Sequence, residues 1–346
     1  MKHLAPACKA GCFAAPGLSV GHYSGMPAIA IVRARRSAMS PPVSTRYAYR
    51  HSGCLVHSEM ELPEWHAFRA DGDADEPDVT IRFAGHPGDD ATPDHVPVID
   101  GDALRFSVPD VGTWQISAGS EIAIHPYGDP TSLEARLFTL GSAWGALGYQ
   151  RGWAMLHGSA VLGPRGAVLF CGPQGAGKST MAAALAQQGL PLVSDDLSRV
   201  EPGRADKPTR LWPSSTRHKL WDEAIVTLGL SDRERVQDYF RAEKFHLESS
   251  TSVPVELPVP LVGIYALEFG DSFRVERLSG GEAATSVLRE TIYRPLFLEA
   301  MGRLAEQAVY AARIAASVPV WRLTRPADLA QLSDVSARLI GHLGEG

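Results

Sequence analysis

From Tyr47 the chain alternates apolar and polar positions in short runs. "YAYRHSGCLVHS", "DVTIRFAG", "ALRFSVP", "TWQISAG" and "EIAIHPYG" are rich in β-formers and are separated by Gly, Pro or Asp breakers. That pattern predicts short strands and a β-rich N-terminal module over 46–130. At 131 the period changes. Leu133, Leu137, Leu140, Trp144 and Leu147 recur at helical spacing, predicting one helix closed by Gly152. Two apolar runs then flank a "GPRG" turn and are expected to pair as a hairpin, from "WAMLHGSAV" to "AVLF". The second runs straight into "GPQGAGKST". "MAAALAQQG" follows as a helix with Gly189 as its C-cap, and "LPLVSDD" as a short buried strand ending in two carboxylates. Farther on come a strand in "LVGIYALEF", a helix from about Gly281 to Tyr293, and another from Leu296 to Ala316. "VPVWRLT" is then a strand and "DLAQLSDVSARLIGHL" a last helix. Alternating strands and helices over 131–346 predict an α/β core with a mixed or largely parallel sheet.

Composition narrows the class. The 346 residues are 45% apolar and 21% charged, which supports a real core. The net charge of -6 argues against a nucleic-acid partner, which needs a basic stripe. No apolar run reaches the ~20 residues of a membrane helix. Cys8, Cys12, Cys54 and Cys171 are too few and scattered for a disulfide framework and fit reduced thiols in a cytoplasmic protein. Residues 1–45 are rich in Ala, Gly, Pro and Ser and contain "RARRSAMSPPV"; the expectation is a disordered tail, or an early start with Met39 as the true one. Cys8 and Cys12 are read there as two thiols, since no second ligand pair completes a metal site.

The chemistry concentrates in residues 172–180. Gly172, Gly177, Lys178 and Ser179 satisfy G-x-x-x-x-G-K-[ST], with a strand before and a helix after. Gly172, Gly175 and Gly177 let successive backbone N–H groups converge on one anion, and the helix start adds its positive end. Lys178 reaches the β and γ oxygens of a nucleotide, Ser179 is a ligand for Mg²⁺, and Thr180 is a further phosphate donor. The expected cofactors are therefore ATP and Mg²⁺. Asp195 and Asp196 end the next strand, where carboxylates flank such a loop; one is expected to hold the metal and the other to take a proton from an acceptor hydroxyl. His157, on the hairpin strand, is read either as a core histidine or as a partner aimed at one of these aspartates.

Taken together, "LHGSAV", "GPQGAGKST" and "LVSDD" resemble the C-terminal domain of the HPr kinase/phosphorylase family. The histidine lies 21 residues before the lysine, and an aspartate 18 residues after it. "GCLVHSEMELPEW" and "RFSVPDVGTWQISAGSEIAIHP" resemble the N-terminal part of HPr kinase-related proteins, some of which phosphorylate the C-terminal serine of lasso peptides. The resemblance implies a P-loop kinase core akin to phosphoenolpyruvate carboxykinase. It places the catalytic histidine on His157, the loop lysine on Lys178, the magnesium hydroxyl on Ser179 and the proton acceptor on Asp196, with Asp195 beside it. Which aspartate is base and which holds the metal stays open at this point. The family's "LEIRGLGI"-like segment is missing, with "TRLWPSSTRHKLWDEAI" in its place, and no C-terminal arginine motif is identifiable. That departure points to a one-way kinase without phosphorylase activity.

The function expected is thus an ATP-dependent serine kinase acting on a protein or peptide, with no nucleic-acid or membrane partner. The family resemblance allows a homo-oligomer. Alternatives are a small-molecule kinase on the same core and a nucleotide-regulated binding module. Arg210, Arg217, Lys219, Arg241 and Lys244, in apparent loops, are candidate clamps for phosphate or an acidic peptide end, Lys219 and Lys244 foremost. Tyr293 and Arg294 stand at a helix break before Pro295. Trp212 and Trp221 are read as core or groove lining, and Cys171 as a small apolar strand residue.

Overall fold

A computed structural model describes residues 47–71, 75–85, 96–204, 206–238 and 241–345. The tail expected over 1–45, with Cys8, Cys12 and Met39, lies outside the described residues. Within them the chain is a mixed α/β protein with three sheets.

The first sheet comprises β1 (Tyr47–His51), β2 (Cys54–Ser58), β3 (Val79–Phe83), β4 (Val98–Asp100), β5 (Ala103–Val108), β6 (Gly112–Ser117) and β7 (Glu121–Pro126), in the order β1-β2-β3-β7-β6-β5-β4. Its alternation buries Val56, Ile81, Leu104, Trp114, Ile116 and Ile122. Trp114 stacks on Phe106 with ring centroids 5.3 Å apart. The helical pattern over 131–152 forms α1 (Leu133–Phe138) and α2 (Trp144–Gln150), joined by a π-helical turn over Thr139–Ala143. The Thr139 hydroxyl explains the turn. It donates to the Ala135 carbonyl (2.7 Å) and accepts from the Trp114 indole (2.9 Å), so a side chain competes with the helical ladder.

The remaining elements follow in chain order. They are β8 (Ala154–His157), β9 (Ser159–Gly163), β10 (Gly166–Cys171), α3 (Lys178–Gln187), β11 (Leu192–Ser194), β12 (Leu197–Glu201), β13 (Arg210–Leu211), β14 (Arg217–Trp221), α4 (Asp222–Thr227), β15 (Arg235–Gln237) and β16 (Lys244–Glu248). Then come β17 (Val259–Phe269), β18 (Arg274–Leu278), α5 (Gly280–Thr291), α6 (Pro295–Ala300), α7 (Leu304–Ser317), β19 (Val320–Arg325) and α8 (Leu332–Glu345). The central sheet runs β11-β9-β10-β17-β13-β12-β8, with β19 also on β17 and β18 on β19. It is mixed: β10–β17 and β17–β19 are parallel and the other pairs antiparallel.

Three sequence expectations change. The hairpin across "GPRG" is β9–β10, and His157 is not on it. Gly158 separates them: a Cβ there would lie 2.6 Å from the Phe170 carbonyl oxygen, so β9 and β10 approach too closely for any other residue. β8 instead pairs with β12, setting His157 opposite Leu197. The helix expected over Leu296–Ala316 is two, α6 and α7, because Gly302 takes a left-handed φ of 66° between them. The segments holding Arg210, Arg217, Lys219 and Lys244 are strands rather than loops, and β14, β16 and β15 form the third sheet.

Candidate phosphate-binding cleft

β10 delivers the chain into the loop 172–177, and α3 begins at its end. Gly177 caps α3 at φ 85°, a conformation that favours glycine. A Cβ there would also strike the Arg325 guanidinium, 2.1 Å away. The loop opens on a cleft of about 580 Å³. His157, Gly175, Gly177, Lys178, Ser179, Thr180, Asp195 and Asp196 all line it. Gly172 does not. Its carbonyl accepts from Lys178 Nζ at 2.8 Å, as does that of Pro173 at 3.2 Å.

The two aspartates are adjacent in sequence and differ in surroundings. Asp195 is 5% exposed. Its Oδ1 accepts from Ser179 Oγ (2.8 Å) and from Ser159 Oγ, and its Oδ2 from the Lys219 backbone N–H (2.7 Å). It therefore reads as a carboxylate held by hydroxyls and an amide at the start of α3. Asp196 points the other way. Its Oδ2 accepts from Lys219 Nζ, and its Oδ1 lies 3.4 Å from His157 Nε2. Burial pushes the Asp196 carboxyl up, but the Lys219 ammonium and His157 outweigh it and hold it well below the usual carboxylate range. The same contest raises Lys219: desolvation lowers it, and Asp196 wins. Asp196 has φ 77°, a left-handed backbone outside glycine. Such positions are uncommon and enriched in Asp and Asn.

Several contributors carried no clear sequence signal. Ser159 is one, legible only as the residue after Gly158. Glu290 is another: burial raises its carboxyl, while His157, Lys178 and a Gly172 backbone hydrogen bond pull it back. Tyr293, which the sequence marked at the helix break before Pro295, lines the cleft with its ring 5.6 Å from that of His157. It is held by its backbone N–H to the Tyr149 hydroxyl (3.0 Å), which donates to Thr291 O (2.9 Å). Arg325 is 2% exposed and donates to the carbonyls of Ala176 (3.1 Å) and Pro326 (3.0 Å). Burial lowers its guanidinium, and its Nε has no partner among the described residues. Both the Ala176 carbonyl and the cap glycine thus rest on a buried positive charge. Of the other predicted contacts, Arg217, Lys219, Trp221, Arg241, Lys244 and Arg294 line the cleft. Arg210 is exposed on β13, and Trp212 packs on Arg199 and donates to Glu201 (2.8 Å), so neither serves it.

The residues fit a magnesium ion carried by a nucleotide better than one caged by protein. Ser159, Ser179 and Asp195 offer hard oxygens, whereas no cluster of three or more His, Cys, Asp or Glu able to hold a metal exists among the described residues. Mg²⁺ needs only one or two such ligands when phosphates and water complete its shell. Among the described residues no helix is long and apolar enough to cross a membrane.

No protein-family model matches the chain, and neither does any curated protein. A solved structure that does match is the HPr(Ser) kinase/phosphatase of Coxiella burnetii. It is 12% identical, spans 56% of this chain and 99% of its own, and superposes with a TM-score of 0.25. At that score the likeness carries no weight, and the functional reading rests on the cleft itself.

Proposed function

We propose that the protein is an ATP-dependent kinase with an HPr kinase-like P-loop core, transferring the γ-phosphoryl group to a serine hydroxyl of a protein or peptide. The observation that carries this reading is the division of labour between neighbouring aspartates. Asp195 shares Ser179 Oγ at the start of α3, while Asp196 faces His157 and Lys219 in the same cleft. A phosphate-binding loop that served only as a switch has no need of the second carboxylate.

The loop amides, the positive end of α3 and Lys178 hold the phosphates. Ser179 and Asp195 would hold Mg²⁺, which neutralises charge on the β and γ oxygens when bound. The acceptor oxygen forms its bond to the γ-phosphorus as the bridging β–γ P–O bond breaks and ADP leaves with that electron pair. The acceptor proton passes to Asp196 and then to solvent. A carboxylate held below its usual range is a weak base, which suits a loose phosphoryl-transfer transition state in which the hydroxyl loses its proton late. Lys219 and His157 then fix the carboxylate's direction, so that positioning and charge carry most of the rate. The missing "LEIRGLGI"-like segment makes the reading a one-way kinase.

The test is Asp196→Asn. Incubation with Mg²⁺, ATP and serine peptides, read by mass spectrometry, is expected to show phosphate transfer reduced by about 10²–10⁴-fold while nucleotide binding persists. Undiminished transfer would remove Asp196 from the chemistry.

A further inference from the structure

The third sheet has two unlike faces. His218, Leu220, Phe245 and Leu247 alternate inward, and Leu220 and Leu247 pack with Ala183 of α3 and Ile225 of α4. Arg217, Lys219, Trp221, Lys244 and His246 alternate outward, and all five line the cleft. A cationic row facing a phosphate-binding loop is unusual in a chain of net charge -6. Seven Lys or Arg residues line the cleft against five Asp or Glu.

Three members of the outward row have a counter-charge. Lys219 is bound to Asp196, Arg217 to Glu248 at 2.5 Å, and His246 contacts Asp238 at 3.2 Å. Arg241 and Lys244 differ. Each stands 5.9 Å from the Trp221 ring centroid, and neither forms an ion pair among the described residues. Trp221 is 41% exposed although it projects into the cleft. Burial lowers the Lys244 ammonium; Asp196 and Asp195 favour it, but with Lys219 and Arg241 opposing they do not offset the burial, and an anion seated there would relieve the remaining cost. Half-buried Phe138 and Leu140 also line the cleft, with the buried Trp65 and Trp144 beneath its surface.

The geometry points to an acidic peptide as the phosphate acceptor, with a carboxylate about two residues from the serine held by Arg241 and Lys244 above Trp221. This rests on the kinase reading above. The spacing follows from β14. Lys219 contacts Asp196, and Trp221 is two residues farther along the strand, about 7 Å away. An extended peptide covers that length in about two residues. A low-mass hydroxy acid would span it poorly.

The test uses the full chain and fluorescein-labelled peptides with one serine and Glu, Gln or Lys placed two residues to either side. Anisotropy is expected to give binding about tenfold tighter for one Glu peptide than for its Gln counterpart. Added salt should erode the difference. Arg241→Gln and Lys244→Gln should each bring the Glu/Gln ratio close to one, with the nucleotide-induced thermal shift as a check that the variants fold. Equal binding of Glu, Gln and Lys peptides, or an unchanged ratio in both variants, overturns the inference. So does turnover confined to glycerate or free serine, which leaves the kinase reading standing. Tight binding of the Glu peptide without phosphate transfer upholds the acidic-peptide site and overturns the kinase reading instead.

Discussion

Asp196 combines a left-handed backbone, an ion pair and a histidine contact in one residue. Asn tolerates the same backbone, so Asp196→Asn isolates the charge from the strain. The pH dependence follows from the two shifts. The folded carboxyl is held well below its unfolded value, so its contribution is present above about pH 4 and is lost as pH falls toward the folded value. The folded Lys219 ammonium is raised, so its contribution is full below about pH 10 and is lost as pH rises through the folded value. Chemical denaturation is therefore expected to show the wild type more stable than Asp196→Asn by a nearly constant margin between about pH 5 and 9. That margin should shrink on acidification below about pH 4. A margin that grew on acidification would mean that Asp196 is not held charged by Lys219. The sequence carried part of this. The spacing from Lys178 marked both aspartates, and Lys219 stood among the candidate clamps. Arg325 was invisible, because nothing in "VPVWRLTR" tells that the end of β19 meets a loop more than a hundred residues earlier.

Elements decide where His157 points. β8 and β9 are one apolar run in sequence, and only the approach of Phe170 to Gly158 divides them. Gly158→Ala places a methyl 2.6 Å from the Phe170 carbonyl oxygen and 2.8 Å from Leu169 Cδ1. Relieving that contact moves β8 or β10, and with them His157 or the phosphate-binding loop. The expected cost is about 1–3 kcal/mol in chemical denaturation, with phosphate transfer falling further than stability alone explains. A variant as stable and active as the wild type would show that the break at 158 is incidental. The same scale shows what alternation can and cannot tell. "RHKLW" and "KFHLE" alternate, Arg217-Lys219-Trp221 outward and His218-Leu220 inward, a strand pattern that the loop expectation missed. The loop expectation followed the charges of the outward face, which obscure the alternating inward His218, Leu220, Phe245 and Leu247. The π turn over Thr139–Ala143 leaves no periodic trace, since it depends on an indole arriving from β6.

At the scale of the molecule, the strands on either side of Asp195 and Asp196 belong to several bodies of core at once. Leu192 packs with α3 and α8 behind the phosphate-binding loop, and Val193 with β10 and α7. Leu197 packs with the first sheet, beside Trp144, Leu147 and Phe297. Strands β1–β3 and β5–β7 and helices α1 and α2 share a core with Phe297 and Leu298, so the acidic pair is braced from both sides. Residues 131–346 produced alone would expose Trp144, Leu147, Tyr149, Phe297 and Leu298, all now buried. Fully burying side chains of this size is worth roughly 1.5–3 kcal/mol each, so their combined loss is comparable to a whole margin of about 5–15 kcal/mol. The fragment is therefore expected to aggregate or to bind 8-anilinonaphthalene-1-sulfonate. The full chain should unfold in one transition, followed alike by tryptophan fluorescence and far-ultraviolet circular dichroism. Two separated transitions, with the fragment reproducing the second, would show that the first sheet is an appendage and that the acid loop is set by 131–346 alone.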